Sequence, residues 1–238
     1  MSAKGEGSPS LTLIYLAYNE GKNLRSVLEE GITFCQENLS DWQIVVVDDG
    51  STDGSNLVVE SVAGEEPRVS LCRHPTNRGM GAGMSSGVKA AQKDYFVFLA
   101  ADGQTPAQNL LPLIPHLKTA DIVSTTYPRN ARDFVRTALS RGLRAYMRLR
   151  LGIRFQLEGL YLFPTKAGKS MVGKIESETF FFSFELIDRG LREGMTVVTT
   201  EMPYEERKEG QSKVANVRRI LRVAKEVNKY AARRRTTF

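Results

Sequence analysis

The sequence predicts an α/β fold with a mostly parallel sheet. Apolar stretches rich in strand-forming residues recur along the first half of the chain, at 11–17, 42–48, 69–72, 95–100 and 121–125. Segments with helical periodicity separate them, and strands that alternate with helices at this spacing are typical of parallel sheets. The first two stretches stop abruptly in polar residues, as buried parallel strands do where they reach the carboxyl edge of a sheet.

Helical periodicity and the residue types at the expected helix starts predict several helices. Asn19 is expected to cap the first helix, and Pro106 lies near the start of another, where proline is tolerated. We predict helices at 21–38 and 54–63, after the segment 77–83 as far as about residue 92, after Pro106, at about 132–151, and from 214 to 235.

Composition restricts the class of protein. The chain has 238 residues, 41% of them apolar, which suffices for one domain with an appendage. No stretch approaches eighteen consecutive apolar residues, so no transmembrane helix is predicted. Residues 1–10 are polar and small and lack an apolar signal core, so we expect a disordered leader. One domain is then expected at 11–212 and a basic amphipathic helix at 213–238.

Cysteine and histidine are scarce. Cys35 and Cys72 have neither metal nor redox spacing, which favours a reduced cytosolic setting. His74 and His116 are the only histidines. They provide little material for a multi-histidine metal site or a Ser-His-Asp triad, and both are expected in surface positions or loops.

The strand at 11–17 ends in residues suited to a nucleotide base. Tyr18, Asn19 and Glu20 follow it directly. An aromatic ring can stack on a base, and a carboxylate can accept hydrogen bonds from ring N–H groups. The alternative is that Asn19 caps a helix and Tyr18 serves packing.

The strand at 42–48 ends in the paired residues Asp48 and Asp49, followed by a turn that contains Asp53. Asp53 is expected to form an Asx turn that caps the next helix. The carboxyl ends of neighbouring parallel strands meet at one edge of the sheet. The two strand ends together therefore predict a site for a nucleotide.

The strand at 95–100 is followed by two candidate metal ligands. Asp102 and Gln104 offer a carboxylate and an amide oxygen, which suit a hard divalent cation. An ordinary turn at Asp102 and Gly103 is the alternative.

Two further segments suit phosphate. Gly79 and Gly81 precede a helix, where unhindered backbone N–H groups can face phosphate or sugar, although close packing of helix on sheet explains the same glycines. Arg207, Ser212 and Lys213 form a basic loop, in which arginine binds phosphate through its fork and lysine as a point charge. A solvated surface loop is the alternative there.

Taken in order, these motifs resemble those of family 2 glycosyltransferases with the GT-A nucleotide-diphospho-sugar transferase fold, in particular polyprenyl-phosphate sugar synthases of the dolichol-phosphate mannose synthase type. The similarity runs from about Leu11 to Lys213. It implies a GDP- or UDP-sugar donor and Mg²⁺ or Mn²⁺ on Asp102 and Gln104. It also implies catalytic roles for Asp102, Arg136 and Arg207.

The resemblance places a larger set of residues on the nucleotide sugar. They lie at the strand ends, in the glycine segment or in the basic loop: Leu16, Ala17, Tyr18, Glu20, Val47, Asp49, Gly79, Ala100, Ala101, Asp102, Gln104, Arg207, Ser212 and Lys213. Asp49 is expected on base or ribose.

The chain departs from the family pattern at several positions. Leu16 replaces a proline, and Ala100 replaces the first aspartate of the metal motif. On the acceptor side, Thr125–Tyr127 and 156–160 differ from close relatives, whereas Arg136 fits their acceptor helix. The donor half is thus well matched and the acceptor half is altered.

Three functions remain open. In the first, the acceptor is a polyprenyl phosphate, whose oxyanion is already nucleophilic and needs no strong base. In the second, the acceptor is a hydroxyl group, which would require a carboxylate base, with Glu158 or Glu185 as first suspects. Glu185 is otherwise expected to be structural or on the acceptor side. In the third, Ala100 marks an idle nucleotide-sugar-binding module.

The tail is strongly basic. Beyond residue 206 it has eleven Lys or Arg against two Glu, a net charge of +9, whereas the whole chain carries +6. We expect its helix to dock on anionic membranes, through a face formed by Val214, Val217, Ile220, Leu221, Ala224 and Val227. A helix packed on the core with a solvated basic face is the alternative. No aromatic platform favours nucleic acid. The expected location is cytoplasmic, with or without peripheral attachment to the inner face of the membrane.

Overall fold

The computed structural model describes residues 9–126, 142, 145–152, 155, 157, 159–202 and 217–235. Its strands are β1 (Leu11–Ala17), β2 (Trp42–Asp48), β3 (Val69–Arg73), β4 (Tyr95–Ala100), β5 (Ile122–Thr126), β6 (Tyr161–Pro164) and β7 (Val197–Glu201). Its named helices are α1 (Gly21–Asn38), α2 (Ser55–Glu65), α3 (Met80–Ala90), α4 (Thr165–Val172), α5 (Phe181–Arg192) and α6 (Val217–Arg235). Residues 145–151 are also helical.

The described strands form one mixed sheet, in the order β3-β2-β1-β4-β6-β5-β7. Strands β3, β2, β1 and β4 are parallel, and β7 is parallel to β5. Strand β6 runs antiparallel to both of its neighbours, β4 and β5. The prediction of a mostly parallel sheet is therefore confirmed. We call β3, β2, β1 and β4 the parallel half of the sheet.

The two faces of the sheet bury separate apolar clusters, as the alternation of side chains along a strand requires. On β1, Leu13 and Tyr15 point into the cluster that includes residues of α1 and α2. Ile14 points into the other cluster, which includes residues of α3, α5 and α6. All three side chains are almost completely buried, which explains why the sequence of this strand is apolar on both faces.

Several sequence-based boundaries need correction. The helix expected after Pro106 is replaced by two short 3₁₀ segments, Ala107–Leu110 and Ile114–Lys118. Helix α3 ends at Ala90 rather than near residue 92. Ser10, assigned to a disordered leader, is held by hydrogen bonds with Asp94. Of the helix expected at 132–151, only residue 142 and the segment 145–151 lie within the described part.

Helix α6 packs on the domain through a face that shares only Val227, among its buried side chains, with the predicted apolar face. Its buried side chains are Val223, Val227, Tyr230 and Ala231, whereas Leu221 is 63% exposed. The hydroxyl group of Tyr230 donates to Asp188 Oδ2 at 2.7 Å, which satisfies two buried polar groups. The alternative of a helix packed on the core is therefore the observed one. No helix in the described ranges has both the length and the apolar character needed to span a bilayer.

Candidate functional site

Three strand ends converge at the carboxyl edge of the parallel half. In the register of the sheet, Ala17 is paired with Asp48, and Leu16 with Ala100. Two backbone hydrogen bonds extend this alignment beyond the strands, from Asp49 N to Ala17 O at 3.0 Å and from Ala101 N to Leu16 O at 3.2 Å. The polar residues that follow β1, β2 and β4 therefore lie side by side, as the sequence predicted.

The loops after β1 and β2 are bound to each other. Asn19 N donates to Ser51 Oγ, and Thr52 N donates to Asn19 Oδ1, both at 2.9 Å. Asn19 adopts a left-handed backbone with φ of 56°, and its side chain makes no cap to α1. The prediction that Asn19 caps this helix is therefore wrong. Its side chain instead fixes the second loop relative to the first.

Asp53 fulfils the structural role predicted for it. Its Oδ1 accepts from the backbone N–H of Ser55 at 3.0 Å, which forms the Asx turn at the start of α2. Its Oδ2 accepts from the N–H of Gly21 at 2.9 Å, at the start of α1. These hydrogen bonds lower the pKa of the Asp53 carboxyl, the one to the Ser55 hydroxyl most of all. The carboxylate therefore links the first residue of α1 to the first residue of α2.

Asp49 organises the edge of the site. Its Oδ1 accepts from Arg78 N and its Oδ2 from Gly79 N, both at 2.8 Å. Its Oδ1 also lies 2.7 Å from His74 Nδ1. The carboxylate thus holds the glycine segment in place, and only 9% of the residue's surface is exposed.

His74 was expected in a surface position or loop; it lies in the loop after β3, but it is buried rather than on the surface. It is 4% exposed and lies between Asp49 Oδ1 and Ser86 Oγ, which is 2.9 Å from its Nε2. His74 and Ser86 were missed by sequence reasoning. The one available signal was that His74 directly follows β3, and so stands at the same edge of the sheet as Asp49.

Backbone packing fixes the glycine segment on both sides. Gly50 has φ of +75°, and a Cβ there would lie 2.5 Å from the carbonyl carbon of Thr76. Gly81 N donates to Glu178 O at 3.0 Å, and a Cβ at Gly81 would overlap Ser177 O. The N–H groups of Arg78, Gly79 and Gly81 are all used within the protein. The idea that unhindered N–H groups here face phosphate is therefore wrong for these three.

The residues expected on the donor differ in accessibility. Tyr18 is 49% exposed beyond β1, which leaves its ring available for stacking. Glu20 is partly buried. Ala17, Val47 and Ala101 are almost completely buried, and Val47 packs beneath Gly83 and Gly87 of α3. Any contact of these three with a nucleotide would go through the main chain.

The candidate metal ligands lie directly after β4. Asp102 Oδ1 accepts from Gln104 N at 3.0 Å, so the alternative of a turn is also realised. Their oxygen atoms fit a hard divalent cation in chemical type. Ala100 is exposed but offers no ligand, and the described residues contain no cluster of three or more His, Cys, Asp or Glu that could hold a metal. Two protein ligands alone do not complete the coordination of such a cation.

Glu185 is structural. It is completely buried on α5, its Oε1 accepts from Arg189, and its Oε2 accepts from the hydroxyl group of Ser177 at 2.5 Å. Both carboxylate oxygens are thus engaged away from solvent. Glu185 is unsuited to serve as a base for an acceptor hydroxyl group.

Some predicted site residues lie outside the described ranges. These are the candidate phosphate contacts and the second candidate base: Arg136, Arg207, Ser212, Lys213 and Glu158. Their roles stay predictions.

The fold is similar to that of known sugar transferases. Mannosyl-3-phosphoglycerate synthase from Rubrobacter xylanophilus superposes with a TM-score of 0.71 at 16% identity, over 96% of this chain and 76% of that one. Glucosyl-3-phosphoglycerate synthase from Mycobacterium tuberculosis, in complex with Mn²⁺, UDP-glucose and phosphoglyceric acid, gives a TM-score of 0.62 at 19% identity, over 85% and 74% of the two chains. These likenesses confirm the GT-A fold.

The sequence identifies the family. The model of glycosyl transferase family 2 matches residues 12–177, most of the domain. The chain belongs to glycosyl transferase family 2. It is also 26% identical, over 222 residues, to a dolichyl-phosphate beta-glucosyltransferase of Trichomonas vaginalis. That match covers 85% of this chain and 65% of the relative, so the chain spans slightly less than two thirds of the relative's length.

Proposed function

We propose that this protein is an inverting glycosyltransferase that moves a sugar from a nucleotide-sugar donor to a polyprenyl phosphate. The observation that carries the proposal is the convergence of Tyr18, Asp49 and Asp102 at one edge of the sheet, where open α/β sheets bind ligands. Similarity to a dolichyl-phosphate beta-glucosyltransferase supports the choice of acceptor.

The donor that we propose is a UDP-hexose, with a GDP-sugar as the alternative. A structural neighbour binds UDP-glucose together with Mn²⁺, which supports a uridine nucleotide and a divalent cation. Tyr18 would stack on the base, and Asp49 would accept a hydrogen bond from base or ribose. Leu16, Glu20 and Ala100 line the same edge.

Asp102 and Gln104 would hold Mg²⁺ or Mn²⁺. When bound, the cation supplies positive charge that stabilises the diphosphate leaving group. Ala100 leaves Asp102 as the one carboxylate of this motif. We therefore expect metal binding to depend strongly on the bound nucleotide.

The acceptor chemistry fits a phosphate better than a hydroxyl group. A phosphate oxyanion attacks the anomeric carbon without a base, so positioning and charge neutralisation supply most of the rate. Glu185, one of two candidate bases for a hydroxyl acceptor, is buried and bound to Arg189. Our candidates for contacts with the phosphate groups of donor and acceptor are Arg136, Arg207 and Lys213.

We also propose peripheral attachment to anionic membranes, since a lipid acceptor must be reached at a bilayer. The stripe of α6 formed by Val223, Val227, Tyr230 and Ala231 is buried against the domain, and the attachment would use the exposed basic side chains Arg222 and Lys225. Each basic residue near an anionic surface contributes about 1 kcal/mol, and salt screens the attraction.

Nucleotide binding tests the donor assignment. We would titrate UDP and GDP by calorimetry, each with and without Mn²⁺, into the wild type and into Asp102→Ala. We expect Mn²⁺-dependent binding in the wild type and its loss in Asp102→Ala. Asp41→Ala is the control, because Asp41 is an exposed carboxylate that precedes β2, at the opposite edge of the sheet. Unchanged Mn²⁺-dependent affinity in Asp102→Ala would refute the metal assignment.

A transfer assay separates the lipid-acceptor enzyme from the idle binding module. The wild type is incubated with radiolabelled UDP-glucose and a short polyprenyl phosphate, and the organic phase is counted. Labelled lipid supports the proposal. Nucleotide binding without transfer or donor hydrolysis would instead identify an idle binding module.

A further inference from the structure

A buried chain of three polar side chains connects the carboxyl edge of the parallel half with helix α3. Asp49 Oδ1 lies 2.7 Å from His74 Nδ1, and His74 Nε2 lies 2.9 Å from Ser86 Oγ. The three residues come from the loop after β2, the residue after β3 and the middle of α3. They therefore link α3 to the ends of the paired strands β2 and β3.

The partners define which ring nitrogen of His74 carries a proton. A carboxylate only accepts hydrogen bonds, so the contact with Asp49 requires a hydrogen on Nδ1. The Ser86 hydroxyl group can donate to Nε2 of the neutral ring or accept from it when the ring is charged. The structure thus fixes the Nδ1–H form toward Asp49.

The order Asp49, His74, Ser86 is that of a hydrolytic triad, but the surroundings are not. Ser86 lies inside α3, where the nearby backbone N–H groups are bonded to carbonyl groups of the preceding turn. Such a position lacks the free N–H donors of an oxyanion hole, which nucleophilic hydrolysis needs. The three side chains are suited to orienting Asp49 rather than to attacking a substrate.

Asp49 has little freedom left for a ligand. Each carboxylate has about four lone-pair positions, and three are used here, by Arg78 N, Gly79 N and His74. Oδ1 accepts two of these hydrogen bonds and Oδ2 accepts one. One position on Oδ2 remains, and its direction is fixed once Oδ1 is held.

We propose that His74 is a positioning residue for nucleotide binding, which acts by holding Asp49 Oδ1 so that the remaining Oδ2 position accepts a hydrogen bond from the base or ribose. The inference rests on the proposed donor site. Ser86 supports the ring from the opposite side, and so links α3 to the same carboxylate.

Two substitutions separate the two contacts of the ring. The amide nitrogen of asparagine takes the place of Nδ1, so His74→Asn keeps a donor toward Asp49. The amide of glutamine reaches the place of Nε2, so His74→Gln keeps the contact with Ser86 and loses the one with Asp49. A purely structural role for a buried side chain does not predict that the shorter amide performs better.

The probe is UDP with Mn²⁺, titrated into each variant, with GDP as a second nucleotide. We expect His74→Gln to raise the Kd about tenfold, the equivalent of one lost hydrogen bond to a charged group. We expect His74→Asn to stay within about threefold of the wild type. Where transfer is measured, the effect of His74→Gln should appear in the KM for the donor rather than in kcat.

A measurement without nucleotide checks the geometry directly. The ring nitrogen shifts of His74 in the ¹⁵N NMR spectrum of the whole chain report which nitrogen is protonated. A proton on Nδ1 supports the inference, and a neutral ring protonated on Nε2 alone would overturn it, even if a variant fails to fold.

The outcomes distinguish the inference from the proposed function. If the wild type binds neither UDP nor GDP, the donor site itself is wrong, and the inference is overturned with it. If the wild type binds and His74→Gln binds equally well, only the role of His74 is overturned. Equal losses in His74→Asn and His74→Gln would likewise refute orientation of Asp49.

Discussion

Two glycines in helix α3 should respond in opposite ways to the same substitution. At Gly81 an added Cβ would overlap the carbonyl oxygen of Ser177 and lie 2.6 Å from Glu178 Cα, both of them backbone atoms. At Gly83 the nearest atoms would be Leu16 Cδ2 at 3.5 Å and Val47 Cγ1 at 3.9 Å, which are ordinary contacts. The two residues lie in the first turns of one helix, so each serves as the control for the other.

The magnitudes follow from packing and helix propensity. Overpacking against backbone costs about 1–3 kcal/mol, and alanine gains up to about 1 kcal/mol over glycine in a helix. We therefore expect Gly81→Ala to lower the free energy of unfolding by about 1–2 kcal/mol, and Gly83→Ala to raise it by about 0.5–1 kcal/mol. Gly81→Ala should also weaken UDP–Mn²⁺ binding, because Gly79 and its hydrogen bond to Asp49 are two residues away.

Urea denaturation followed by circular dichroism measures both changes, with equal m values as the check that the unfolded states are comparable. The reasoning would be refuted if Gly81→Ala proved as stable as Gly83→Ala. A stable Gly81→Ala with normal nucleotide affinity would show that Ser177 and Glu178 do not pack against α3 in solution.

Three further results are expected. Ala100→Asp should tighten Mn²⁺ binding in the presence of UDP, because it adds an oxygen ligand beside the cation site that we propose; weaker binding in calorimetry would show that this position faces elsewhere. Tyr230→Phe should cost about 1–3 kcal/mol in urea denaturation, since it leaves a buried oxygen of Asp188 without its donor. Charge reversal at Arg222 and Lys225 should reduce sedimentation with anionic vesicles at low salt. Equal sedimentation of the reversed and wild-type chains would argue against attachment through this face.

The parallel half of the sheet was predictable because its signals are local. Strands buried on both faces read as continuous apolar runs, and each run ends where the chain leaves the sheet. The segments at 11–17, 42–48 and 95–100 were therefore located to the residue. Placing Tyr18, Asp49 and Asp102 at one edge followed from the parallel arrangement alone.

The remainder depended on contacts between distant residues. The burial of His74 was not predicted, because it depends on two partners outside its own loop, Asp49 and Ser86. Asn19 looked like a helix cap because its local sequence permits one, but Thr52 competes for its side chain. Pro106 is compatible with a helix start, and tertiary packing selected 3₁₀ turns there instead.

The face of α6 was misassigned for a related reason. The sequence offered apolar residues such as Leu221 on one side, but Tyr230 lies on another side among arginines. Its ring is buried beneath the guanidinium group of Arg189, 5.4 Å from the ring centroid. Ion pairs between α6 and Glu176 then satisfy the charges that flank the buried stripe. A periodicity argument cannot detect such pairing, because the partners belong to another element.

The packing of α6 connects the tail with the carboxyl edge of the sheet at which Asp49 lies. Glu226 on this helix accepts hydrogen bonds from Glu178 N at 3.1 Å and from the Thr179 hydroxyl group at 2.6 Å. The carbonyl group of Glu178 in turn accepts from Gly81 N, in the helix that follows the Asp49-bound residues Arg78 and Gly79. Removing the tail should therefore disturb the surroundings of Asp49 as well as any membrane surface. Charge reversal on the exposed face of α6 leaves these contacts in place, so a loss of vesicle binding by that variant reports on the membrane surface alone.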